Sequence, residues 1–377
     1  DQCDPDRQLP FARWASAVAG SLLLLTPLLL RRQIGRGPAL LTTLLLGISP
    51  TLWAASRTAG GSAIAALGIL AAVLFLARAR AETRGNLEGA AAMLGLAAAT
   101  GQAGLLGLAS LGVGSAALVA IRRRRGNPDP DRTLASPWPA ALDAAALRRR
   151  LLLAGVVALG VASGLGFFVR ALGGVFGGLG SWAEGWFVAS GIPVASVMLN
   201  LPAYEPLLLG FGGLGLVRAV RKGSALQTWL AAWAISAVLL IAVYPGRRPE
   251  DLLWAVIPLC FLAANEASQL IERALGARPA WLLIGFVVAV IALLAFSYLQ
   301  LAAFVRGPDA FQTLLGLPLL LMLALMGIGL AAAAIGLLGL GWSREIAGRV
   351  AGVAGLIVLT ALSLSGGKAA FPGSTIE

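Results

Sequence analysis

A guanidinium fits a phosphate group with two parallel N–H donors and never loses its charge, while a carboxylate can take the proton from an attacking hydroxyl. Residues of both kinds recur in this 377-residue chain at the ends of apolar runs rather than inside them. They are Asp1, Asp4, Asp6 and Arg7 at the start, Arg57 closing SPTLWAASR, Glu205 in AYEP, and Arg247, Arg248, Glu250 and Asp251 in YPGRRPED. Brought to one face, such groups could activate a hydroxyl acceptor and hold a phosphate or diphosphate leaving group. A plainer reading stands beside it: each arginine is an interfacial residue with its head in water, and Arg247 pairs with Glu250 or Asp251.

Other chemistry is excluded by composition. With no histidine, imidazole cannot serve as base, metal ligand or pH switch. The two cysteines, Cys3 and Cys260, give neither a metal-ligand spacing nor a disulfide framework, so no metal is expected. A net charge of +12 would suggest nucleic acid on a soluble protein. Here 58% of residues are hydrophobic, only 12% are charged and the mean hydropathy is +0.86, which places the chain among membrane proteins. Anionic lipid headgroups then account for the positive charge, and nucleic acid is not expected as a partner.

The elements that must position the charged residues are helices. The apolar runs predict an all-α, polytopic bundle of about twelve transmembrane helices, within a range of about ten to thirteen. Most of the 29 basic residues fall in alternate loops, those of Arg31, Arg78, Arg122–Arg125, Arg148–Arg150, Arg221, Arg273 and Arg344. The positive-inside rule makes these loops cytoplasmic and puts the N-terminus of the given chain outside a plasma membrane. The organisation expected is a remnant of an external loop at 1–10, a transmembrane half at 11–121, a basic cytoplasmic loop at 122–150, a second half at 151–365 and an external tail at 366–377. A chain that starts outside without a signal peptide is expected to have lost an earlier span. Outside, the loop GGVFGGLGSWAEGWFVASGIPV offers Trp182, Glu184 and Trp186, either as a substrate loop or as an aromatic belt that only sets depth. Charges in the middle of the apolar runs are scarce, which argues against an ion-coupled transporter.

Several stretches resemble a known family. RWASAVAG at 13–20, LLLRRQIGR at 28–36 and SPTLWAASR at 49–57 are similar to the early region of the GT-C type glycosyltransferases. These are polyprenyl-phosphate-sugar-dependent membrane enzymes that include protein O-mannosyltransferases and aminoarabinose transferases. YPGRRPEDLLWAVIPLCFLAA at 244–264 is similar to an outer-loop motif of that family, with Arg248, Trp254 and Pro258 in its places. YEPLLLGFGGLGLVRAVRK at 204–222 resembles the prokaryotic, flippase-associated branch. The resemblance implies a GT-C-like bundle that takes a sugar from a polyprenyl-phosphate carrier. Arg57, Arg247 and Arg248 would be phosphate ligands, and Trp182, Glu184, Trp186 and Trp254 would line the substrate loop. It implies no cofactor beyond that donor, membrane lipids and the carrier as partners, and room for partner membrane subunits. The catalytic base would lie in an outer loop upstream of Asp1, with Asp4, Asp6 and Glu205 as candidates within the chain, and whether the chain as given is active stays open. A lipid or glycolipid transporter or flippase subunit is the alternative, since the 48 glycines allow helices to pack closely and slide.

The topology is testable directly. Cysteine labelling in intact cells is expected to modify positions beside Trp182 and Arg248 and to spare those beside Arg31, Arg122 and Arg221. External labelling at position 122 would overturn the assignment.

Overall fold

A computed structural model describes residues 5–58, 60–79, 84–124, 144–163, 172–275, 280–305, 316–341 and 343–370. Asp1 and Asp4, Arg170, most of the basic loop at 122–150 and the end of the 366–377 tail lie outside the described residues, as does the side chain of Asp6.

The described chain is helical. The first helices are α1 (Pro5–Leu23), α2 (Thr26–Leu29), α3 (Arg31–Ile34), α4 (Arg36–Ile48), α5 (Pro50–Arg57), α6 (Ser62–Ala79), α7 (Arg84–Ala99) and α8 (Gln102–Arg124). Next come α9 (Ala144–Ala162), α10 (Leu172–Glu184), α11 (Val194–Tyr204), a π turn at Leu208–Gly212, α12 (Gly213–Lys222) and α13 (Ala225–Val243). A 3₁₀ turn at Pro249–Leu252 leads into α14 (Leu253–Leu275), followed by α15 (Ala280–Val305), α16 (Gly316–Gly341) and α17 (Arg344–Ala370). Among the described residues the apolar runs are helical, and some of them, such as 38–55, are divided between two helices. Among the described residues, five helices are long and apolar enough to cross a membrane, or seven if each of two bent pairs is one span. The predicted outer segment at 172–203 is itself folded, into α10 and most of α11.

Both bends have local causes. Between α4 and α5 the axis turns by 60°. There Ser49 is extended (φ −68°, ψ 117°), Pro50 opens the new helix, and the Ser49 hydroxyl accepts a hydrogen bond from Leu52 N at 3.3 Å. Proline at the first helical position loses a donor that would be unpaired anyway, and serine before it supplies the cap. Between α11 and the helix that follows, the axis turns by 101°. Pro206 interrupts the hydrogen-bond ladder here, and the chain resumes through the π turn.

The chain forms two compact units, residues 1–266 with 363–377, and residues 267–362. In the second, α15 packs on α16 around Val287, Val290, Ala331, Leu338 and Val350. In the first, α6 packs on α1 and α7, α7 on α9, and α8 on α13. The α8–α13 contact is held by small residues and polar pairs: Trp229 Nε1 donates to Ser115 Oγ at 3.0 Å and Trp233 Nε1 to Ser110 Oγ at 3.1 Å. Within apolar surroundings each indole N–H needs such a partner. Glu266 on α14 is buried and forms an ion pair with Arg218 of α12.

Trp254, at the start of α14, is 1% exposed and lies over Gly107 of α8, where a Cβ would come within 2.6 Å of the indole ring. Gly112 on the same helix has nothing within 4 Å of such a Cβ. Gly107→Ala is therefore expected to destabilise the purified protein by about 1–3 kcal/mol through overpacking. Gly112→Ala should instead stabilise it by about 0.5–1 kcal/mol through backbone entropy. Unfolding in detergent measures both, and equal effects would refute the Gly107–Trp254 contact.

Candidate functional site

Glu205 is the hinge of the region. It follows α11 at the second bend, is 2% exposed, and its Oε1 accepts hydrogen bonds from the Ser49 hydroxyl and, at 3.1 Å, from Thr51 N. Both donors belong to the N-terminus of α5, where backbone N–H groups point outward and negative charge is favoured. The carboxylate thus joins the two bends, and Glu205 is occupied in holding α5.

The other end of α5 carries Arg57, about 12 Å along the axis for eight residues. Arg57 is exposed and its guanidinium lies 5.2 Å from the centroid of the Trp53 ring. Beyond it the connection to α6 runs against Glu250: a Cβ on Gly60 would stand 2.9 Å from Glu250 Oε2. α5 itself packs on the Pro249–Leu252 turn. On that turn Arg248 is half exposed, 3.7 Å from Glu250 Oε1, and its backbone N donates to Asp251 Oδ2 at 2.7 Å. The segments carrying Arg57 and Arg248 therefore meet at Glu250.

Arg247 has a different setting. Its Nε donates to the Ile241 carbonyl at 3.1 Å, Nη1 to Ile192 at 3.0 Å and Nη2 to Ala242 at 3.4 Å. The guanidinium closes the C-terminal end of α13 and ties it to the segment before α11; its partners are carbonyls, not the Glu250 or Asp251 carboxylates considered from sequence.

The aromatic residues form a wall beside this turn. Tyr244 is fully buried, its hydroxyl donates to the Trp182 carbonyl at 3.0 Å, and the Trp186 ring meets it edge-on with centroids 5.1 Å apart. Trp186 also meets Trp182 at 6.1 Å. Burial and the nearby Asp251 carboxylate push the Tyr244 phenol above its ordinary pKa, against a smaller opposing pull from Arg248. Glu184 is exposed. Trp254 is in the helical core rather than in this wall.

Two residues of this region were not singled out from sequence. Gln102, 8% exposed at the start of α8, donates from Nε2 to the Gly246 carbonyl at 2.9 Å and fixes the turn that presents Arg248. Its signal was a lone amide between two apolar runs. Tyr244 stood beside the arginine pair as one of only three tyrosines.

Two crystal structures of ArnT from Cupriavidus metallidurans share the arrangement of helices. One, bound to undecaprenyl phosphate, superposes with a TM-score of 0.51 at 20% identity, and the other, in the apo state, with 0.50 at 21%. The fold is GT-C-like. Each comparison covers 94% of this chain, which spans 62% of the length of either ArnT chain. No protein-family model and no curated protein sequence matches the chain. The GT-C-like fold and the apolar helices make it a multi-pass membrane protein.

The bracket role of Glu205 gives a clear expectation. Glu205→Ala strands the Ser49 hydroxyl and the Thr51 N–H, and is expected to cost about 1–3 kcal/mol. Glu205→Gln keeps an acceptor at Oε1 and should lose less. Thermal unfolding of the two variants in detergent checks the order, and an unaltered Glu205→Ala protein would refute the bracket.

Proposed function

We propose that the chain is the membrane scaffold of a GT-C-type glycosyltransferase that moves a sugar from a polyprenyl-phosphate carrier to an acceptor at the outer face of a prokaryotic plasma membrane. The observation that carries this reading is the meeting of the Arg57 and Arg248 segments at Glu250, in a fold shared with an ArnT crystallised with undecaprenyl phosphate.

In this reading an acceptor hydroxyl oxygen attacks the anomeric carbon of the sugar, the bond from that carbon to the carrier phosphate breaks, and the phosphate leaves with the electron pair. Arg248 and Arg57 stabilise the negative charge that develops on the phosphate, because a guanidinium donates to two oxygens at once and stays charged. Arg247 serves the turn instead, since three carbonyls hold its donors. The hydroxyl proton goes to a carboxylate. Glu205 is committed to α5, so Asp4 and Asp6 are the candidates for this role within the chain. Trp182 and Trp186 border the sugar, with Tyr244 setting their position through its hydroxyl.

Binding of undecaprenyl phosphate to the purified chain tests the proposal, with sugar transfer assayed alongside. Arg248→Ala is expected to weaken carrier binding about tenfold, the loss of one charge-assisted contact. Arg247→Ala is expected to lower the unfolding temperature, because it leaves carbonyls at the end of α13 unpaired. Undiminished carrier binding in Arg248→Ala would remove the phosphate role.

A further inference from the structure

The opposite end of the same helices carries a second polar feature. Ser224 precedes α13 and Tyr244 follows it, so the nineteen residues of α13 separate the two by about 28 Å. Around Ser224 a cavity of about 110 Å³ opens between the α3–α4 connection, the start of α13 and the middle of α14. Its polar lining is Gln33, Ser224, Gln227 and Asn265. Its apolar lining includes Ile34, Pro38, Leu230 and Phe261.

Of the three amides in this small cavity, one has a structural role and two do not. Gln227 uses its Oε1 to accept from Ser224 N at 2.9 Å, completing the capping box of α13, which leaves its Nε2 donor for the cavity. The amides of Gln33 and Asn265 make no hydrogen bond among the described residues. The charged sequence neighbours of the lining residues are mostly cationic. Arg31, Arg32 and Arg36 flank Gln33, and Arg221 and Lys222 precede Ser224. The nearby carboxylate of Glu266 is already paired with Arg218.

We propose that this cavity binds the phosphate-bearing headgroup of an acidic glycerophospholipid, at the membrane surface opposite the candidate transfer site. The amide and hydroxyl groups suit phosphodiester oxygens and headgroup hydroxyls, the surrounding arginines and lysine supply the long-range attraction, and the apolar wall receives the first carbons of the acyl chains. A headgroup bound there links the α3–α4 connection to α13 and α14. The site lies a full helix length from Arg248 and stands or falls independently of the proposed transferase activity.

The full chain, purified in neutral detergent, would be titrated with phosphatidylglycerol, phosphatidylcholine and inorganic phosphate, with binding read by native mass spectrometry and by the shift in unfolding temperature. Phosphatidylglycerol is expected to bind and stabilise, and phosphatidylcholine to do so far less. Gln33→Glu, at an exposed position that tolerates substitution, and Asn265→Asp each place a negative charge on the lining. Both are expected to weaken phosphatidylglycerol binding by about tenfold, whereas the charge-matched Arg13→Gln on α1 leaves it unchanged. Equal binding of the two lipids, unaltered affinity in Gln33→Glu, or full displacement of phosphatidylglycerol by inorganic phosphate would each overturn the assignment.

Discussion

A helix that breaks in apolar surroundings releases N–H and C=O groups with no water to receive them, so each break must find protein partners. Two breaks in this chain find them in each other. The Glu205 carboxylate, at the bend after α11, accepts from the Ser49 hydroxyl and the Thr51 N–H at the bend before α5. An anion at that position also lies at the positive end of the α5 dipole. Fixing the start of α5 fixes its direction, and with it the place of Arg57 and of the loop that passes Glu250. The approach of the Arg57 and Arg248 segments thus depends on a contact about 12 Å away that has no part in binding a substrate.

Arginines of the same type meet different fates for geometric reasons. Arg248 sits on extended backbone (φ −126°, ψ 155°), and in an extended chain neighbouring side chains point to opposite sides. Arg247 accordingly turns inward to the carbonyls of α13 while Arg248 stays half exposed beside Glu250. Arg218 pairs with the buried Glu266, which removes an unpaired charge from α14. A lone buried carboxylate there would be far more costly than the pair.

Small residues set how closely the helices approach. Gly185 admits the Tyr244 hydroxyl, since a Cβ there would stand 2.0 Å from it, and Gly246 N donates to the Gly185 carbonyl at 2.7 Å. The aromatic wall exists because these two glycines let the loop after α13 and the end of α10 come into backbone contact. Gly107 does the same for Trp254, which sinks into the core instead of joining that wall.

The sequence by itself determined that the chain is helical, and it holds the residues at which two apolar runs break. Long apolar runs have no other way to satisfy their backbone in a membrane, and Ser49 with Pro50, or Pro206 after Glu205, mark ends through their own donors and ring geometry. It also placed the charged residues at helix ends. The tertiary structure alone decided the partners. Glu205 and Ser49 are 156 positions apart, Gln102 and Gly246 144, and nothing local links them. Glu205 read as a candidate base, and only the fold shows its carboxylate bracketing α5; Arg247 read as a phosphate ligand, and only the fold shows its donors on the carbonyls at a helix end. The physical reason is that a helix apolar on every side has no distinctive face from which its neighbours can be inferred. Which helices meet is set by small residues and by single polar pairs, whose effect appears only once two distant segments are in contact.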